Sequence, residues 1–492
     1  MNARIRRTGM VITVLFGLLF IQAVNLQVFS AERLYDNPAN AYRQIVAEYE
    51  VDRGSILASD GKSVLALSRP TGDAFKYLRR YPQGELYANI TGFYSLVYGT
   101  SAIEHTYNSD LGARSDELFA TNLWDQLLGK PKHGASVVTT IDPELQKLAT
   151  KELAGRPGAV VAMDPKTGDV LAMVTAPSFD PNLLSSHDPK AIRAAWTKLN
   201  ADPSKPMVSK ANQELYPPGS TFKLITASAA LENGYGPDST WPNPAVLSLP
   251  QTTHVLSNFG GEHCYGGVPQ LTLDQAFTVS CNVVFGEIGL KLGAQKIVDQ
   301  AEAYGFNQDI PFDVPFVSGN IPSVSYFDQR EPAVALSAIG QDQVSANPLQ
   351  MALVASAIAN GGVEMQPRLV TEILDPTGQP IQTLQPVEFG RPISPATAQD
   401  MTQMMIDVVD HGTGTSAQIP GVTVAGKTGT AQHGTGQAPH AWFVCFAPAE
   451  DPQIAVAVVV LDGGDLGSEA TGGAVAAPIA RTMIETALRR AK

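Results

Sequence analysis

Three short runs in this chain carry residue types that could work together on a carbonyl. In Ser220-Thr221-Phe222-Lys223 a hydroxyl and an amine stand three residues apart, on one face of a helix if the run is helical. Ser280-Cys281-Asn282 offers a second hydroxyl and a carboxamide, and Lys427-Thr428-Gly429-Thr430 a second amine with two further hydroxyls. A serine becomes a nucleophile when a neighbouring base takes its proton, and a lysine can be that base when its pKa is lowered. Burial and a second nearby cation both lower it. Unpaired N–H groups at a helix start favour a developing anion. The chemistry these types suggest is attack by Ser220, with Lys223 carrying the proton.

Each run is weak alone, because each has chance copies. Ser59-Asp60-Gly61-Lys62 repeats the first spacing, but it sits in an Asp-Gly turn with no helix after it. Ser318-Gly319-Asn320 and Ser345-Ala346-Asn347 repeat the second, and Lys166-Thr167-Gly168 the third, in an exposed turn after Asp164-Pro165. Context separates the chosen set. Tyr216-Pro217-Pro218-Gly219 brings the chain in stiffly and turns it into a helix predicted from Thr221 to about Leu231, closed by Asn233-Gly234. Ser280 and Asn282 fall between helices predicted over 271–277 and 285–292. Lys427 lies inside a strand predicted over 422–431.

The elements around these runs divide the chain. With 492 residues and 44% apolar content, two or three domains with large cores are expected. Arg4, Arg6 and Arg7 precede an apolar run over 9–29, about the length that spans a bilayer. The basic flank places residues 1–8 in the cytoplasm and the rest outside. No small-residue cleavage site follows, so the run reads as an uncleaved anchor rather than a signal peptide. Residues 30–141 form a mixed region, with a strand predicted over 44–51, a hairpin turning at Asp60-Gly61, and a helix over 118–128. Residues 142–492 begin with Asp142-Pro143, a helix start. Strands over 158–163 and 169–174 follow, then a long polar region after Phe179, then helices including 294–304, 348–360 and 395–409. Strands over 442–447 and 454–461 and a closing helix over 474–490 end the chain. Strands at both ends of this region flank a helical middle. The expected build is α+β: one antiparallel sheet with a helical lobe inserted and the site in the cleft between them.

A net charge of -13 and a pI near 5.1 argue against a nucleic-acid partner. Three cysteines do not make a disulfide scaffold, and no metal site is expected, since neither Cys-x-x-Cys nor His-x-x-x-His occurs. Cys264 and Cys281 lie in a region placed outside the cytoplasm, where a bridge would brace the loop carrying Ser280 and Asn282. Two separate reduced thiols are the alternative. Cys445 reads as a buried small residue. His433 and His440 read as structural or surface residues.

The order and context of the three runs resemble the penicillin-recognising serine transpeptidases and β-lactamases. Residues 158–168, Gly340-Gln341, Asn347-Pro348-Leu349-Gln350 and His440-Ala441-Trp442-Phe443 resemble further stretches of that family. Arg53-Gly54-Ser55-Ile56 is similar to the pedestal, or dimerisation-like domain, of the class B penicillin-binding proteins. The short pedestal and the cysteine placement point to one subgroup of that class. The resemblance implies a penicillin-binding transpeptidase domain over 142–492 on a pedestal over 30–141. It implies a D,D-transpeptidase that cross-links the stem peptides of peptidoglycan in growth or division. Ser220 would attack the carbonyl of the penultimate D-Ala and Lys223 would take its proton. Ser280 would relay that proton to the leaving D-Ala, and Asn282 would hold Lys223 and the substrate amide. Lys427 would supply positive field, and Thr428, Gly429 and Thr430 would bind the substrate, with the two threonine hydroxyls on the terminal carboxylate. The N–H groups of Ser220 and Thr430 would form the oxyanion hole. β-Lactams would acylate Ser220, no cofactor is implied, and glycan-polymerising and division or elongation proteins are the implied partners. A D,D-carboxypeptidase and a non-catalytic β-lactam sensor are the alternatives. About 110 residues before Asp142 are too few for a glycosyltransferase, and no water-activating group of a β-lactamase is evident.

Overall fold

A computed structural model describes residues 2–29, 46–115, 132–261, 263–432, 434 and 436–490. Helix α1 (Asn2–Val24) carries the apolar run. Its side chains from Met10 to Ile21 are exposed, and its mean hydropathy of 1.8 over the best window fits a membrane span.

The pedestal contains strands β1 (Ile56–Leu57), β2 (Val64–Pro70), β3 (Tyr77–Arg80) and β4 (Ser136–Thr139). Asp60-Gly61 turns β1 into β2 as expected, with the Asp60 carboxylate accepting from the N–H groups of Lys62 and Ser63. Glu104 is fully buried between Arg53 and Arg79, 2.6 Å from the Nε of each. The strand expected over 44–51 is a correction: 46–49 is a helical turn. Tyr49 is buried there and stacks on Tyr94 at 4.7 Å, so tertiary packing overrides its strand propensity. The helix expected over 118–128 lies outside the described residues.

Helix α2 (Pro143–Leu153) starts at Asp142, whose side chain caps the N–H groups of Glu144 and Leu145. Strands β5 (Gly158–Met163) and β6 (Val170–Ala176) form the expected hairpin, and Lys166-Thr167-Gly168 is its turn. The polar region after Phe179 contains a helix, α3 (Pro189–Ala201), capped by Asp188. Its apolar stripe is narrow, Ile192, Ala195, Trp196 and Leu199, so the segment reads as polar overall.

The helical lobe comprises α4 (Lys223–Glu232), the hairpin β7 (Val246–Ser248) with β8 (Val255–Ser257), α5 (Leu273–Thr278), α6 (Asn282–Leu292) and α7 (Pro348–Ala359). Strands β9 (Val370–Leu374) and β10 (Pro380–Thr383) follow, then α8 (Pro395–Asp410), β11 (Ala425–Ala431), β12 (His440–Ala447), β13 (Ile454–Val460) and α9 (Ala477–Arg490).

Two sheets organise the molecule. The pedestal sheet has the order β10-β9-β4-β1-β2-β3, so two of its strands come from residues 370–383, far along the chain. The second sheet has the order β11-β12-β13-β5-β6 and is antiparallel throughout. Its strands alternate between two cores. Val160, Ala162, Phe443, Cys445, Val456 and Val458 face α2 and α9, while Ala159, Val161, Trp442, Val444 and Ala457 face the lobe with α7. Burial on both faces explains the unbroken apolar run of β13. β11 is an edge strand of this sheet, and the lobe packs beside it.

Candidate active site

The site lies where α4, the α5–α6 connection and β11 meet. Gly219–Phe222 is a 3₁₀ turn, and the α-helix proper begins at Lys223, two residues later than the sequence implies. Side chains at i and i+3 eclipse in a 3₁₀ turn, so Ser220 and Lys223 stand one above the other. Ser220 is half-buried and Lys223 fully buried, so the hydroxyl can be reached and the amine is desolvated. Gly219 has φ +53°, and Gly340 (φ +73°) accepts its N–H at 3.0 Å. A Cβ on Gly340 would lie 2.1 Å from the Gly219 oxygen. That close approach gives the Gly340-Gln341 stretch a physical role: it seats the turn that carries Ser220.

Strand β11 is pressed against the same turn. Trp442, on the neighbouring β12, donates its indole N–H to the Pro217 oxygen at 3.0 Å. A Cβ on Gly429 would meet the Pro218 oxygen at 2.9 Å, and one on Gly219 would meet the Thr430 oxygen at 3.0 Å. Glycine at these two positions lets strand and turn touch.

Lys223 Nζ donates to the Ser280 oxygen at 2.7 Å and to Asn282 Oδ1 at 2.8 Å, with Ser280 Oγ at 3.3 Å. Lys427 Nζ donates to Ser280 Oγ at 2.9 Å and to the Thr428 oxygen at 3.1 Å. Ser280 adopts φ +59°, rare for a residue with a side chain, and thereby turns both its carbonyl and hydroxyl towards the lysines. The two ammonium sites lie over aromatic rings, Lys223 over Phe285 at 5.3 Å and Lys427 over Phe277 at 5.5 Å. Burial, and secondarily the Lys427 charge, hold the Lys223 amine well below the usual lysine range. Burial alone brings Lys427 down to about 7. A neutral amine has two N–H groups and one lone pair. The two short contacts of Lys223 go to pure acceptors, which leaves the lone pair to take a proton.

Of the residues the sequence singles out, Lys223, Ser280, Asn282 and Lys427 form one hydrogen-bonded cluster, and Ser220 and Gly429–Thr430 border it. The Thr428 hydroxyl is 2.6 Å from that of Thr413, and Thr430 is half-buried on β11. Thr413 lies outside the three motif runs, and its sequence signal is Gly412-Thr413-Gly414 directly after a helix. Cys264 and Cys281 are bridged, with Cα atoms 5.9 Å apart, and Cys445 is buried and free. His440 is buried on β12, its ring edge-on to Tyr216 at 5.5 Å, and its Nδ1 accepts from the Asp462 N–H. His433 lies outside the described residues. Among the described residues no three His, Cys, Asp or Glu side chains are grouped to hold a metal.

The Penicillin binding protein transpeptidase domain matches residues 158–485, and the Penicillin binding protein A dimerisation domain matches residues 53–137. The chain belongs to the penicillin-binding protein transpeptidase family, with the dimerisation module as its pedestal. Peptidoglycan D,D-transpeptidase PbpA of Mycolicibacterium smegmatis is 42% identical over 497 residues, covering 99% of each chain. The protein of the same name from Mycobacterium tuberculosis is 40% identical over 501 residues, again covering 99% of each. The ceftriaxone acyl-enzyme structure of penicillin-binding protein A from M. tuberculosis superposes with a TM-score of 0.86 at 39% identity, covering 90% of this chain and 100% of that one. These relatives represent the subgroup to which the short pedestal and cysteine placement point.

Proposed function

We propose that this chain is a membrane-anchored peptidoglycan D,D-transpeptidase of cell-wall synthesis working through a Ser220 acyl-enzyme. The observation that carries the residue roles is the contact set of Lys223, held by Ser280 and Asn282 beside Lys427 and one turn along from Ser220. Ser220 Oγ attacks the carbonyl of the penultimate D-Ala of a stem peptide, and its proton passes to the Lys223 lone pair. The N–H groups of Ser220 and Thr430 face the developing oxyanion, where losing one donor costs about 3 kcal/mol. Ser280, in contact with both lysines, hands the proton to the departing D-Ala nitrogen. Lys427, Thr428 and Thr430 grip the terminal carboxylate along the open edge of β11. The ester is then cleaved by an amine of a second stem peptide, whose proton passes by way of Lys223 to the departing Ser220 oxygen and leaves the Lys223 amine neutral again. A β-lactam enters the same site and remains as a slow ester.

The anchor at 9–29 leaves residues 1–8 in the cytoplasm and holds the pedestal (30–141) and transpeptidase region (142–492) on the outer face, with Arg4, Arg6 and Arg7 at the start of α1, before its apolar run, as support. Enzymes that polymerise glycan strands, with division or elongation proteins, are the partners this chemistry calls for. The test is mass spectrometry of the Ser220 peptide after penicillin treatment. The expected result is one adduct on that peptide, absent in Ser220→Ala. Labelling that persists in a folded Ser220→Ala protein refutes the assignment. Supplying an amine acceptor with stem peptide should give cross-linked product; hydrolysis alone would mark a carboxypeptidase.

A further inference from the structure

Helix α6 begins at Asn282, the residue whose side-chain oxygen holds Lys223. The first N–H groups of a helix need acceptors from outside it. The residue in the capping position is Cys281, whose sulfur is bonded to Cys264 and supplies no cap. The acceptor arrives from elsewhere in the chain. Asn258, directly after β8, receives the N–H of Asn282 at 2.9 Å and that of Val283 at 3.1 Å on its single Oδ1. Asn258 is buried at 8% exposure. The neighbouring Ser257 oxygen accepts the Asn282 side-chain N–H at 3.3 Å. Backbone and carboxamide of Asn282 are therefore both tied to residues 257–258, and the remaining carboxamide oxygen is aimed at Lys223.

We propose that Asn258 is a positioning residue for the acyl transfer: it caps α6 in place of the bridged cysteine and thereby fixes the amide that holds Lys223. The proposal rests on the Ser220–Lys223 reading above and adds to it a residue outside the three motif runs. The β7–β8 hairpin then acts as a strut for the second motif. Asn243 braces the same excursion, its side-chain N–H groups donating to the Cys264 and Val268 oxygens at 2.9 Å.

The test measures second-order acylation by a fluorescent penicillin on the full-length protein in detergent, across pH, for Asn258→Ala and Asn258→Asp. Asn258→Ala removes the acceptor and should slow acylation about tenfold, the effect of a lost cap. Asn258→Asp keeps an acceptor for both N–H groups, folds as the parent does, and should restore the rate at its optimum. Among the described residues Lys427 is the titratable group that acts on Lys223. The introduced carboxylate opposes that effect, so the acid limb of the Asp profile should move to higher pH. A folded Asn258→Ala protein that acylates at the parent rate overturns the proposal. So does an Asp variant that is as slow as Ala, or whose acid limb stays in place, and this pair of outcomes decides the matter even where the Ala variant does not fold. The parent protein is the control for the reading beneath. An adduct absent from the Ser220 peptide defeats the site assignment, whereas an adduct on Ser220 with no Asn258 effect defeats only this proposal.

Discussion

Replacing Lys427 tests how the two buried amines divide their labour. Both touch Ser280 Oγ, Lys223 at 3.3 Å and Lys427 at 2.9 Å, so their nitrogens lie within about 6 Å of each other. Two unit charges at that separation, at an effective dielectric of ~20, repel by about 3 kcal/mol. Lys427 is therefore one of the two reasons Lys223 is neutral, burial being the larger. The free enzyme should acylate with a bell-shaped pH dependence. The acid limb follows loss of the Lys223 proton. The alkaline limb, near pH 7, follows loss of the Lys427 charge that attracts the substrate carboxylate. Lys427→Met removes that charge, the Lys223 pKa rises, and the acid limb should move to higher pH. Lys427→Arg keeps a cation that does not deprotonate, so the alkaline limb should vanish. Stopped-flow acylation by a chromogenic β-lactam reads both limbs. An acid limb unmoved in Lys427→Met, with the adduct still on Ser220, refutes the electrostatic coupling.

Two further perturbations follow from the packing. Gly340→Ala should slow acylation on the order of tenfold to a hundredfold, because its Cβ would displace the Gly219 oxygen beneath the nucleophile; an unchanged rate shows that the turn is held by other contacts. Glu364 is fully buried, neither carboxyl oxygen has a hydrogen-bond partner among the described residues, and burial pushes its pKa up to about 8 from 4.5. The folded state thus holds a proton that the unfolded state releases, so stability is full below pH 4.5 and falls as pH rises towards 8, by about 3 kcal/mol between pH 4.5 and 7. Glu364→Gln should abolish that slope and raise Tm above the parent at pH 8; parallel Tm-versus-pH curves for the two proteins refute it.

The chain's own residue order settles much of this protein. Pro217-Pro218-Gly219 before a run of helix formers fixes the turn that presents Ser220, since proline restricts φ and glycine tolerates the left-handed backbone. Alternating and continuous apolar runs fix the two-ended sheet, and the basic-then-apolar start fixes α1. Motif order, rather than any single motif, points to the site. Tertiary structure alone decides the rest. The turn at 46–49 follows Tyr49 into an aromatic cluster, against its local propensity. Strands from 370–383 complete the pedestal sheet, because sheet edges are filled by whatever chain lies alongside, at any sequence distance. Thr413 and Asn258 escape sequence reading because a threonine in a turn and an asparagine after a strand look ordinary. Their roles exist only where Thr428 and the start of α6 arrive beside them, and hydrogen bonds act over 3 Å of space with no regard for separation along the chain.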